Sequence, residues 1–170
     1  MKTLMLAAMT AFCLPAAAAM AQDAAAALEV TDAFARSSNP KSGGAFMTIA
    51  NNSEQECTLI GATSPAAGKV ELHTSRENAE GMMEMLPIEG GIAIPAHGSH
   101  ALARGGDHIM LMGVPTPLKQ GDEVAMQLDF GDCGKVDLVV PLDNERTGTA
   151  SGEAEHGEMK MEEGDAHKAH

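Results

Sequence analysis

The stretch Asp107-His108-Ile109-Met110-Leu111-Met112-Gly113 sets an imidazole and two thioethers at alternate positions, with aliphatic residues between them. In an extended strand successive side chains point to opposite sides, so Ile109 and Leu111 can enter a core while His108, Met110 and Met112 share the other face. The i, i+2 spacing holds His108 and Met110 about 6.5 to 7 Å apart at Cα, a gap that two side chains can close around one ion. Thioether sulfur is a soft donor that favours Cu(I), and imidazole serves copper in either oxidation state. Thioethers also suit an oxidising compartment, because they cannot be lost to disulfides. One strand supplies two ligands, and the others must come from neighbours. Upstream, Val70-Glu71-Leu72-His73 and Met82-Met83-Glu84-Met85-Leu86 flank a polar segment, Thr74 to Gly81, that reads as a hairpin loop. His73, with Met85 or Met83, is the available complement. Taken singly, each methionine is more often a core gap-filler and each histidine a solvated surface residue; their joint placement on strand faces is what favours a soft-metal site. His97 and His100, in the Pro95-Ala96-His97-Gly98-Ser99-His100 turn, read as surface residues.

The elements that must position these groups are short strands. Alternating runs at 28–35, 45–50, 57–62, 69–73, 82–87, 91–94, 99–102, 108–114, 123–130 and 136–140 are separated by Gly, Pro, Asn and Asp, and Ser37 to Gly44 reads as a turn-rich loop. Helical periodicity is nowhere convincing. The pattern predicts an all-β Greek-key sandwich or barrel, with the domain over 28–142, a soft lead-in at 22–27 and a tail over 143–170. The tail has no β-branched or aromatic cluster to bury and is expected to be disordered.

Of 170 residues, 44% are hydrophobic, enough for one core. Residues 1–21 describe a secretory signal peptide: Lys2, an apolar run from Leu4 to Leu14, and Ala19-Met20-Ala21 as the cleavage site. The run is shorter than the ~20 residues of a spanning helix, and no later segment could insert in a bilayer. Phe12 before Cys13 argues against lipidation. An exported, periplasmic protein is therefore expected. Once the signal is removed Cys57 and Cys133 remain, and a disulfide is favoured over metal ligation because neither lies in a Cys-x-x-Cys arrangement. A net charge of −13 and the absence of Trp and Tyr exclude the basic stripe and stacking platform that nucleic acid requires.

These residues resemble the PCuAC family of periplasmic Cu(I) chaperones. The spacing His73-x11-Met85-x22-His108-x-Met110, the Pro87-Ile88-Glu89-Gly90-Gly91 turn and the 108–113 strand carry the likeness. Asp32-Ala33-Phe34-Ala35-Arg36, Gly44-Ala45-Phe46-Met47-Thr48-Ile49, Gly61-Ala62-Thr63-Ser64-Pro65 and Pro117-Leu118-Lys119-Gln120-Gly121-Asp122 extend it over Val30 to Pro141. The resemblance implies a cupredoxin-like barrel that holds one Cu(I) through His73, Met85, His108 and Met110. It also implies a non-enzymatic role, delivering copper toward the apo CuA domain of cytochrome c oxidase or another periplasmic copper protein. Thr74 stands where many members carry methionine, and the loop before Met85 is about one residue longer than usual. Met85 is preferred over Met83 because it keeps the spacing to His108 and the adjoining Leu86-Pro87; Met83 and Met112 are expected to form a hydrophobic collar. A monomer is expected. A copper buffer or resistance protein without a dedicated recipient is the alternative, and an exported adhesion or interaction module with incidental Met and His is a third reading. In the tail, His156, Met159, Met161, His167 and His170 repeat the ligand types and are expected to form a weaker auxiliary copper site that can take Cu(II).

Overall fold

The computed structural model describes residues 27–146. The expected signal peptide and the five auxiliary residues of the tail lie outside the described residues. Eleven strands follow in order: β1 (Leu28–Asn39), β2 (Ser42–Asn51), β3 (Cys57–Leu59), β4 (Gly61–Thr63), β5 (Lys69–Glu77), β6 (Met83–Pro87), β7 (Ile92–Ile94), β8 (Ser99–Leu102), β9 (Asp107–Met112), β10 (Glu123–Asp129) and β11 (Lys135–Pro141), with one 3-10 turn at Gly131–Cys133. The all-β expectation holds. No helix among the described residues is long and apolar enough to cross a membrane.

One sheet runs β1-β2-β9-β5-β6, with β8 also on β2; a second runs β11-β10-β4; β3 and β7 pair apart. The large sheet is antiparallel and not in chain order, which is the Greek-key signature: β9 enters between β2 and β5, pairing Ala45 with Ile109 on one side and Leu72 with Ile109 on the other. On its edge away from β1, strand β2 serves two partners, β9 over Ser42–Ala45 and β8 over Met47–Ala50. Alternation on these strands builds a single core. Ala35, Ala45, Met47, Ile49, Leu72, Ile109 and Leu111 meet Val124, Met126, Leu128 and Val140 of the second sheet, all buried. Met47 and Met126 are thus core gap-fillers, the bland role available to any methionine.

Three boundaries differ from the sequence reading. The expected loop at Ser37 to Gly44 is instead the end of a long hairpin, turned at Pro40-Lys41, where the Asn39 side chain accepts the Lys41 amide at 2.9 Å. Gly43 looked like turn chemistry but sits inside β2 because a Cβ there would lie 2.6 Å from the Arg36 carbonyl oxygen. The 57–62 run divides at Ile60, whose amide donates to Asp129 while β3 pairs with β7 and β4 with β10. Finally, β5 continues through Glu77, so Thr74 to Glu77 are paired with Met83 to Leu86 and the loop is only Asn78 to Met82. Cys57 and Cys133 are bridged, with Cα atoms 5.8 Å apart, tying β3 to the β10–β11 turn. The first four residues of the expected tail are held against β1: the Asp143 amide donates to the Ala35 carbonyl at 2.8 Å, and the Ser37 amide to Asn144 Oδ1 at 2.9 Å.

Candidate metal centre

Side chains that face each other across antiparallel strands lie on the same side of the sheet. On the side of the large sheet away from the core, His73 of β5 is opposite His108 of β9, and Met110 of β9 lies between Glu71 of β5 and Gly44 of β2. Across the other edge of β5, His73 opposes Pro87 and Ser75 opposes Met85, which brings Met85 onto the same side, diagonal to His73. Met83 also shares that side but opposes Glu77, two residues further along. The imidazoles of His73 and His108 meet edge-on with centroids 6.1 Å apart.

A cavity of about 260 Å³ opens over this patch, lined among others by His108, Met110, Met85, Phe46, Ser75 and Arg104. Gly44 forms part of its floor; a Cβ there would come 3.1 Å from the Phe46 ring. His73 stands beside the lining, against His108. Met83 is not part of the lining, and Met112 lies one row beyond Met110, opposite Lys69 and Ser42. A larger cavity of about 430 Å³ sits on the second sheet, among Thr63, Pro65, Ala125 and Val139, and holds no imidazole.

The second face of β9 is not open to solvent as simple alternation would suggest. His108 is only 4% exposed and Met110 is half-buried. The cover is aromatic: Phe46 lies 6.0 Å from His108 and Phe34 lies 5.2 Å from Phe46. Arg146, at the end of the described chain, spreads its guanidinium 4.5 Å over Phe34, pairs with Asp32 at 3.4 Å, and accepts a hydrogen bond from Arg36 on its carbonyl.

Hydrogen bonding defines the two imidazoles differently. His108 Nδ1 lies 3.0 Å from the Gly106 carbonyl oxygen, which can only accept, so Nδ1 carries the proton and Nε2 keeps a free lone pair. His73 Nε2 lies 3.3 Å from Glu71 Oε2; a carboxylate likewise only accepts, which leaves the lone pair on His73 Nδ1. That Nδ1 is buried and has no partner. A buried acceptor without a donor costs about 1–3 kcal/mol, a cost that a hydrogen-bond donor or a coordinated cation would offset. Both imidazoles are thus oriented by an acceptor behind them, as metal-binding histidines are. The Lys69 ammonium first, and the His73 imidazole second, hold the Glu71 carboxyl below its usual range, so Glu71 stays ionised as the acceptor. Among the described residues no three of His, Cys, Asp and Glu gather to cage an ion. The donors gathered at this patch are two imidazoles with thioethers, a set that fits Cu(I).

The sequence reading missed Glu71 and Gly44. The signal for Glu71 was present, since it is two residues from His73 on one strand and so on the same face. Gly44 was hidden among turn residues. His97 is exposed beside Glu54, as expected, whereas His100 is half-buried and bonds Asp107 at 3.0 Å, next to His108.

The architecture is that of the PCuAC domain. The solved structures it resembles include the apo PCuAC domain from PmoF1 (22% identity, TM-score 0.58, covering 69% of this chain and 93% of that one). They also include the copper-bound PCuAC domain from PmoF2 (19%, TM-score 0.56, covering 69% and 92%), and both of these likenesses speak to the fold alone. The Cu(I) form of DR1885 from Deinococcus radiodurans is similar at 33% identity over 70% of this chain and 81% of that one, with a TM-score of 0.53. The model of the family described as "Putative lipoprotein LpqE-like" matches residues 28–142, and the chain belongs to that family. A relative from Leifsonia xyli subsp. xyli, "Putative lipoprotein Lxx21020", is 34% identical over 131 residues, 76% of this chain and 77% of its own.

Proposed function

We propose that this protein is an exported, non-catalytic carrier of Cu(I). It holds one ion through His73, Met85, His108 and Met110 and passes it to the apo CuA domain of cytochrome c oxidase or another periplasmic copper protein. The observation that carries this reading is the orphaned, buried His73 Nδ1 beside a His108 whose Nε2 is likewise free, on strands that bring Met110 and Met85 to the same side. The 33% identity to a protein solved with Cu(I) supports it. The residues divide the work. Gly106 and Glu71 fix the two imidazoles, Phe46 walls the site from one side, and Met85 stands at its exposed rim, where an incoming donor could displace it without opening the core. Thioethers bind weakly enough to exchange, which suits transfer over storage.

X-ray absorption of the Cu(I) protein tests the ligand set. Mixed nitrogen and sulfur scattering is expected, and a spectrum unchanged by Met110→Leu would sink it. The same measurement on Met83→Leu and Met85→Leu decides between the two methionines: loss of the site is expected with Met85 alone. Copper transfer to an apo CuA domain separates a chaperone from a buffer, since a buffer would bind but not deliver.

The tail residues His156, Met159, Met161, His167 and His170 are proposed as an auxiliary site that captures Cu(II) and, after its reduction, supplies the domain. The place of Arg146 supports this: its guanidinium lies 4.5 Å over the Phe34 ring, and two ring-to-ring steps of 5.2 and 6.0 Å lead from Phe34 through Phe46 to His108. Ten residues of chain to His156 span up to ~33 Å, so the domain site is within reach and the tethered ligands act at high effective concentration. Paramagnetic resonance during Cu(II) titration of the mature chain and of one ending at Arg146 is the test; the cut falls there because Asp143 to Arg146 pack on β1. Equal Cu(II) stoichiometry would refute the tail site. Cleavage after Ala21 is proposed for export, and the intact mass of the exported protein distinguishes it from the lipid-anchored form that the relatives' names suggest.

A further inference from the structure

Seven methionines fall within the described residues, and they are not equally shielded. Met47 and Met126 are buried in the core, and Met110 and Met112 are half-buried on β9, which is paired on both sides. Met82, Met83 and Met85 are 61%, 63% and 56% exposed. All three belong to one stretch, β6 and the residue before it, at the edge of the large sheet. Opposite Met85 stands Ser75, whose short side chain offers little cover. The proposed copper set therefore combines one thioether open to solvent with one held inside the sheet.

Thioethers are oxidised according to access, and the sulfoxide is polar and no longer a soft sulfur donor. We infer that Met85 is an oxidation-sensitive ligand, whose conversion to the sulfoxide by a hydroperoxide discharges copper from the site, with Met82 and Met83 as competing targets beside it. This rests on the Cu(I) reading above. In the step, the sulfur lone pair attacks the terminal peroxide oxygen; the S–O bond forms as the O–O bond breaks. Sulfur gives up two electrons, and the peroxide is reduced to water or an alcohol, which takes up the proton of the transferred oxygen. The polar product projects into solvent from an edge strand, so the core is undisturbed and the change is confined to the site. Sulfoxide reduction restores the donor.

The test uses the mature chain from Gln22 with Met159 and Met161 replaced by leucine, so that tail sulfur does not contribute. Graded hydrogen peroxide is followed by peptide mass spectrometry and by Cu(I) competition against a chromogenic chelator. Oxidation of Met82, Met83 and Met85 is expected at least about tenfold faster than that of Met110, and Cu(I) retention should fall in step with the Met85 sulfoxide. Cu(I) loading should slow the oxidation of Met85 without preventing it, since its sulfur is attacked whenever the exposed thioether leaves the ion, while Met82 and Met83 stay fully reactive. With limiting peroxide, Met82→Leu/Met83→Leu should raise the share of Met85 oxidised about threefold, since three comparably exposed sulfurs become one. Full Cu(I) retention with Met85 oxidised, or Met110 oxidised as fast as Met85, overturns the inference while leaving the copper reading in place. No Cu(I) uptake by the unoxidised protein overturns both.

Discussion

Removing the Cys57–Cys133 bridge should cost a large fraction of the stability of a domain this size while leaving the patch of His73, Met85, His108 and Met110 unchanged. The two cysteines are 76 residues apart in sequence, and in the chain-entropy model a loop of that length contributes about 4.5 kcal/mol by restricting the unfolded chain. Total stabilities are about 5–15 kcal/mol, so the expected loss is a large fraction. Both cysteines are buried, so the double variant Cys57→Ala/Cys133→Ala is preferred to serine, which would bury two hydroxyls. The bridge joins β3 to the β10–β11 turn, whereas His73, Met85, His108 and Met110 are all on the large sheet, away from it. Urea denaturation should show the lost stability with a steeper transition, because the unbridged unfolded chain is more extended; a fall in Tm of roughly 15 °C is the thermal counterpart. Cu(I) stoichiometry at a temperature where the variant is folded should be unaltered. A loss under about 1 kcal/mol would refute the loop-entropy reasoning, and loss of copper binding by the folded variant would refute the separation of bridge from site.

Other expectations follow from single contacts. Ile109, wholly buried on the core face of the strand that carries His108 and Met110, should lose about 3 kcal/mol as Ile109→Ala by calorimetry. Met83→Leu should leave Cu(I) stoichiometry intact, because Met83 lies outside the cavity lining, and titration against a chelator will show it. Asp129 is held below its usual carboxylate range by the Gly131 amide first and Lys135 second. A depressed folded pKa means stability present above the unfolded value of ~3.9 and lost as pH falls through the folded one. Asp129→Asn should therefore be slightly destabilising near pH 7, with the difference from the parent vanishing in the acid limb of a pH–stability series.

Parity along a strand was readable without coordinates, and it separated Ile109 and Leu111 from His108 and Met110 correctly. What parity cannot supply is register between strands. That His73 faces His108, and that Met85 comes diagonal to His73 while Met83 lies two residues off, depends on long-range pairings of β9 with β2 and β5 that no local pattern encodes. Turn composition misled for a related reason. Gly43 and Gly44 look like loop residues because loops are where glycine is usually needed, but here the need arises from close approach to Arg36 and from the cavity floor, both tertiary facts. The burial of His108 was equally hidden, since the cover comes from Phe46 and Phe34 on other strands and, beyond them, from Arg146 over a hundred residues away from Phe34 in sequence.

The position of β6 at the sheet edge makes the site mechanically uneven. His108 and Met110 sit on a strand hydrogen-bonded along both sides, and His73 on one that is flanked by β9 and β6; none can leave without tearing the sheet. Met85 rides on five residues held from one side only. Local opening in proteins follows such differences in hydrogen-bonded cover, so β6 should fray on its own while β9 opens only with the whole domain. Amide hydrogen exchange would then separate the strands by orders of magnitude, and at the proposed site the rate at which copper leaves would be set by the breathing of that one edge, decoupled from the stability of the fold that carries it.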